Sequence, residues 1–174
     1  MFATRKLNRW DNKFLLEAIF WSRSSHDKQT QCGCVLVKDK TILSSGYNGF
    51  IRGVDDDSLP RYRPEKHPYM IHAEANAVYN CTRLGKSTLD ATCYITGIPC
   101  LNCLQCLYQC GIKEIVFTDF SNPKCVDIGN SDYQEILKMV SKKINIAYTP
   151  VNELDDSDFI ECSIMISKRK IKEG

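Results

Sequence analysis

No apolar run in the 174 residues approaches the roughly 18 that a membrane span needs, which excludes a transmembrane helix. The first ten residues, Met1 to Trp10, are basic and polar, with no apolar stretch leading to a cleavage site, so no secretory signal is expected. Excess charge is also lacking. Lys and Arg total 23 against 21 Asp and Glu, a net +2, so nothing points to a surface that tracks phosphates, and no nucleic-acid partner is expected. Repeats, low-complexity tracts and linkers are absent. At 43% hydrophobic and 25% charged, the composition excludes a disordered chain, and 19.9 kDa is the size of one domain with its own core. A soluble, cytoplasmic, single-domain protein over residues 1–174 is expected, with a core over about 10–148 and a C-terminal extension over 149–174.

Cysteine, in contrast, is abundant, at 10 residues. A chain this long without a signal does not need disulfides, so reduced thiols are expected. Cys100, Cys103, Cys106 and Cys110 crowd together, as a metal site or an unusual core.

Periodicity supplies the frame. Phe14, Leu15, Ala18, Ile19 and Trp21 predict a helix over 12–24 with Asp11 as its N-cap, after a loose arm over 1–10. Runs at 31–37 and 41–47 read as a hairpin turning at Lys38-Asp39-Lys40. Residues 50–71, with Asp55-Asp56-Asp57 and Pro60, Pro64 and Pro68, have neither period and read as a long functional loop. Helices are predicted over 72–84, 100–110 and 132–142, and strands over 91–96, 114–118 and 144–148. The tail is acidic over 153–158, apolar over 159–166 and basic over 168–172. Strands alternating with helices after a hairpin predict an α/β layered domain.

Two helix starts carry the chemistry. His72-Ala73-Glu74 opens one, and Pro99-Cys100-Leu101-Asn102-Cys103 opens the next, one helix and one strand later. In a βαβ arrangement the two N-termini lie at one sheet edge, which brings His72, Cys100 and Cys103 around one point. One imidazole and two thiolates leave a tetrahedral zinc one open position, as catalytic sites do. Glu74, two residues after the histidine, is placed to move protons without binding the metal. Together these suit hydrolysis at a carbon bearing an amine. A rival reading is an iron–sulfur segment, because the four cysteines run C-x2-C-x2-C-x3-C. Gly111 rather than Pro follows, no second cysteine run exists, and Cys103, Cys106 and Cys110 form a core-facing helical stripe. Cys106 and Cys110 are therefore expected to pack in the core.

The H-x-E and P-C-x-x-C pair resembles the zinc-dependent cytidine deaminase superfamily. Gly46-Tyr47-Asn48-Gly49, the acidic loop with Asp56, Asp57, Leu59 and Pro60, Pro68-Tyr69 and His72-Ala73-Glu74-Ala75-Asn76-Ala77 look most like its deoxycytidylate deaminases, over about Trp10 to Phe120. The resemblance implies a three-layer α/β/α fold with a five-stranded mixed core sheet and zinc between two helix N-termini. It implies hydrolysis of dCMP to dUMP and ammonia, in which Glu74 protonates N3 and then the leaving amine. It further implies substrate contacts at Asn48, Ala73 and Phe120, with Lys124 in place of a cation missing at Ser121. It also implies a homohexamer activated by dCTP and inhibited by dTTP. The effector, with Mg2+ accompanying it, would sit at Tyr47, Asn48, Gly49, Arg52 and Gly53. A second, structural zinc would call on His67 or Cys34, which read instead as an ordinary loop histidine and strand cysteine. The alternatives are deamination of dCTP, 5-substituted dCMP or tRNA adenosine, and a non-enzymatic zinc or iron–sulfur protein.

Overall fold

The computed structural model describes residues 2–54, 56–121, 128–161 and 163–164. Its elements run in the order β1 (Ala3–Thr4), α1 (Arg9–Ser22), β2 (Gly33–Lys38), β3 (Thr41–Tyr47), α2 (Ala73–Arg83), β4 (Thr92–Ile95), α3 (Leu101–Gln109), β5 (Glu114–Phe117), α4 (Ser131–Val140) and β6 (Asn145–Tyr148). They build one sheet of order β1-β6-β5-β4-β2-β3. The five expected strands make its body. The arm contributes a sixth, two-residue strand that pairs parallel with β6, Ala3 opposite Ala147 and Thr4 opposite Tyr148.

The pairing of β4 decides where a site can form. It runs antiparallel to β2 and parallel to β5, and β2 is antiparallel to β3. Strands β3, β4, β5 and β6 therefore all point the same way. The helices that follow β3 and β4 begin at the same sheet edge, beyond the strands' carboxyl ends, where ligands bind in open α/β sheets.

Every residue of β2 except Lys38 is buried, because helices cover both faces. Val35 and Val37 pack with Phe14, Leu15, Ala18, Tyr94 and Val116 under α1. Cys34 and Leu36 pack on the other face with Ala73, Ala77, Leu104, Leu107 and Val140 of α2, α3 and α4. The layers are thus α/β/α, one helix against three. Cys106 and Cys110 pack against this second core, as their helical spacing predicts. No helix among the described residues is long and apolar enough to cross a membrane.

Helix α1 starts three residues earlier than its apolar period suggests. Its cap is Asn8, whose Oδ1 accepts from the amides of Trp10 and Asp11 at 2.8 and 3.0 Å. Asp11, the expected cap, is buried instead in the first turn. It accepts a 2.7 Å bond from the Tyr94 hydroxyl and pairs with Arg5 at 2.9 Å. Tertiary partners, invisible locally, took the carboxylate away from capping. The loop over 50–71 is closed at its base by reciprocal bonds between Gly49 and Ile71. It carries short 3-10 turns at Asp56–Ser58 and His67–Tyr69. The acidic part of the tail leads into helical residues at 157–161, whereas its basic run over 168–172 lies outside the described residues.

Two glycines let helices lie directly on strand backbone. A Cβ on Gly33 would meet the Ala18 carbonyl oxygen at 1.9 Å, and one on Gly46 would meet the Ala73 carbonyl oxygen at 2.3 Å and the Ala77 nitrogen at 2.5 Å. Gly46 thus sets the height of α2 above β3. Replacing it with alanine must lift the start of that helix. Gly46→Ala should cost about 2–3 kcal/mol in urea unfolding, as overpacked cores do. A loss below about 0.5 kcal/mol would contradict the close approach.

Candidate active site

His72 and Cys100 occupy the N-cap positions of α2 and α3, with extended backbone (φ/ψ of −71/156° and −70/169°). Neither side chain caps its helix. Both turn inward instead, and Cys103 joins them from the first turn of α3. The Sγ atoms of Cys100 and Cys103 each lie 3.4 Å from His72 Nδ1. All three ligand atoms fall within 4.8 Å of one another. Bonds of about 2.0 Å to nitrogen and 2.3 Å to sulfur at tetrahedral angles would separate such atoms by about 3.6 Å, so the donor set fits zinc. It is the one three-donor group among the described residues, and neither His67 nor Cys34 takes part in another. Cys34 is instead buried, its Sγ 3.4 Å from that of Cys93.

The electrostatics suit a cation bound by thiolates. A hydrogen bond from Cys103, aided by His72, holds the Cys100 thiol low, at about 4. The contact with Cys100 in turn raises the His72 pKa. Glu74 is buried beside them, only 4% exposed. Burial pushes its carboxyl up to about 7, against the opposing pull of its own helix amides and of His72. A carboxyl poised there both gives and takes a proton near neutral pH.

The turn that launches α3 is held from two sides. The Tyr133 hydroxyl of α4 donates to the Pro99 carbonyl at 3.1 Å. Thr96 Oγ1 receives the Gly33 amide at 2.9 Å and lies 2.6 Å from Ser121 Oγ, which donates to the Gln31 carbonyl at 2.7 Å. Ser121 is therefore a buried strut between strand ends.

A cavity of about 190 Å³ opens beside the three donors. His72, Ala73, Glu74 and Cys100 form its metal end, Ile95, Gly97, Ile98 and Met70 its apolar wall, and Asn48 part of its polar wall. Phe120 is 41% exposed beyond β5 and is not in this wall. Lys124 lies outside the described residues. Tyr47, Gly49, Arg52 and Gly53 line a second cavity of about 240 Å³, with Asn76 and Asn80 of α2. Asn48 is the exception among those loop residues, because its side chain faces the first cavity. Its Oδ1 accepts from the Cys32 amide at 2.7 Å, and its Nδ2 donates to the Thr30 carbonyl at 2.9 Å and to Asp27 at 3.2 Å.

Sequence reasoning missed the remaining polar wall: Asp27, Thr30, Arg63, Lys66 and His67. Lys66 Nζ, 2% exposed, donates to both Asp27 oxygens at 2.5 and 2.6 Å. The one available signal was the cluster of basic residues in Arg61-Tyr62-Arg63-Pro64-Glu65-Lys66-His67, just ahead of the metal helix.

Comparison with known proteins agrees with this geometry. Residues 8–119, more than half of the chain, match the model of the cytidine and deoxycytidylate deaminase zinc-binding region. A probable deoxycytidylate deaminase of Caenorhabditis elegans is 40% identical over 139 residues, covering 72% of this chain and 68% of the relative. The deoxycytidylate deaminase of Homo sapiens is 34% identical over 118 residues, 62% of this chain and 64% of the relative. The chain thus spans about two thirds of the length of these relatives. Among solved structures, a dCMP deaminase from the cyanophage S-TIM5 superposes with a TM-score of 0.66 at 21% identity, over 83% of this chain and all of that one. The structural likeness establishes the fold. With the family match and the 40% identity, it places the chain in the zinc-dependent cytidine and deoxycytidylate deaminase family, as a member of its deoxycytidylate deaminase branch.

Proposed function

We propose that the protein hydrolyses dCMP to dUMP and ammonia in the cytoplasm, supplying dUMP for dTMP synthesis. The observation that carries this reading is the His72, Cys100 and Cys103 donor set with buried Glu74 in the wall of the same cavity. The names of the relatives narrow the substrate to the deoxycytidine monophosphate. Zinc, when bound, supplies Lewis acidity that makes a water nucleophilic near neutral pH. The protein does the rest. Glu74 Oε takes the proton that the attacking water loses, delivers it to N3 of the base, and then serves the leaving amine at C4. Ile95, Ile98 and Met70 exclude bulk water from that exchange. Asn48, with its amide fixed by three protein bonds, offers a rigid edge to the sugar, and Ala73 closes the floor. Phe120 and Lys124 remain the contacts that the family pattern proposes beyond β5.

Regulation by dCTP as activator and dTTP as inhibitor, in a homohexamer, belongs to the same proposal. The second cavity supports it. Arg52 there donates to Asn80 Oδ1 at 2.9 Å, which sets a cation beside the start of a loop that also carries Asn48. A triphosphate effector would bring its Mg2+ with it. In a dCMP assay, dCTP should raise the rate at low substrate and dTTP should lower it. An unchanged rate with both removes the effector site but not the chemistry.

Glu74→Gln keeps the shape of the carboxyl and loses the proton. It should bind zinc normally while dCMP turnover falls by about 10²–10⁴-fold. A near-normal rate refutes the shuttle.

The cysteines separate ligand from packing. Cys103→Ser should lose zinc and activity together, because a serine hydroxyl stays protonated and cannot replace a thiolate. Cys106→Ala removes a half-buried sulfur from the core edge and should cost about 1 kcal/mol of stability with zinc retained. Zinc analysis and the dCMP rate, measured on both variants, decide. Equal loss of metal in the two would overturn the ligand assignment.

A further inference from the structure

The cavity wall has a cationic side that the metal chemistry does not use. Arg63 and Lys66 are the non-histidine cations among the described residues that line it, and His67 adjoins them. All three come from the loop between β3 and α2, not from the segment after β5, where Ser121 is a buried strut. Lys66 is neutralised in place. Its ammonium lies on the Asp27 carboxylate, which also accepts the amides of Gln29 and Thr30 at 2.7 and 3.0 Å and the Asn48 side chain at 3.2 Å. That hub ties the loop to the α1–β2 connection and to the wall residue Asn48. Arg63, three residues before Lys66, is held at the same wall by its amide on Gln29 Oε1 at 2.7 Å and its Nη2 on Thr30 Oγ1 at 2.8 Å. With Lys66 matched by Asp27, the guanidinium of Arg63 is the uncompensated charge of the cavity's polar end. It is held rigidly and sits in a half-buried place where a charge-assisted bond is strong.

We propose that Arg63, with His67 beside it, is the subsite for the 5′-phosphate of the nucleotide, and that the Lys66–Asp27 pair is the positioning device that holds this loop against the cavity. The inference rests on the dCMP reading of the metal site and assigns to one loop the discrimination between nucleotide and nucleoside.

The test uses the zinc-loaded full-length chain. First, kcat/KM is measured for dCMP and for deoxycytidine with the wild type, Arg63→Gln and Arg63→Lys. The preference for dCMP should fall about 10- to 100-fold in Arg63→Gln, through a raised KM, and recover in large part in Arg63→Lys. Second, dUMP and deoxyuridine are titrated calorimetrically, with no turnover required. The preference for dUMP should fall by the same factor in Arg63→Gln. An Arg63→Gln enzyme that keeps the wild-type preference in both measurements overturns the subsite. A wild type that binds dUMP through Arg63 but does not deaminate dCMP leaves the subsite standing and overturns the reading of the reaction instead. For the positioning pair, Asp27→Asn should raise KM for dCMP with kcat little changed. A fall in kcat at constant KM would assign the pair to the chemistry and not to the loop.

Discussion

Two helices that point their N-termini at one another present two positive dipole ends at one place, an arrangement that is unfavourable unless negative charge lies between them. The site exists because this fold produces that convergence and this sequence answers it with sulfur. β4 lies parallel to β5 and antiparallel to β2, so α2 and α3 must start at one edge. His72 and Cys100 then sit where a serine or aspartate would normally cap, and neither caps. The orphan amides are left facing a thiol that their surroundings hold well below its usual pKa. Local helix stability is spent to obtain a cluster of donors, and the packing of Ala73 and Ala77 against Gly46 keeps the helix seated in spite of it.

A loop of more than 20 residues between β3 and α2 would be expected to move. Two features hold it: the bridge at Gly49 and Ile71, and the ion pair of Lys66 with Asp27. Burying such a pair adds little net stability, since desolvation consumes most of the Coulomb gain. What it adds is register. An ammonium that can be satisfied at one carboxylate only, itself already fixed by three other donors, specifies one loop conformation among many. The polar side of the cavity inherits that conformation.

Much of this was legible in the sequence. Helices and strands follow the apolar periods to within a few residues. The metal donors are readable because their spacing puts them at two helix starts. The sheet's sixth strand was not, because two residues of parallel pairing leave no alternation to detect. Asp11 read as a cap because local chemistry favours it, but a tyrosine 83 positions away claims it. Lys66 in a proline-punctuated stretch reads as a solvated loop lysine. Its burial depends on Asp27, 39 residues earlier, and no local pattern encodes that pairing. Likewise Ser121, expected to leave a missing cation near the substrate, is committed to a hydroxyl network that closes β4 against β5.

The same contrast separates reaction from recognition. His72, Cys100, Cys103 and Glu74 are fixed to the first turns of two packed helices, where a displacement of one residue moves a helix, so their positions are as rigid as the core beneath them. Asn48, Arg63, Lys66 and His67 belong to loops whose backbone is free to differ in length and sequence without disturbing that core. An exchange of the cation from one loop to another therefore changes which end of a nucleotide is read, and by what, while the carbon at which the amine leaves stays in front of the same metal and the same carboxyl. On this architecture the substrate's polar end is an adjustable property of the cavity wall, and the deamination is a constant property of the helix starts.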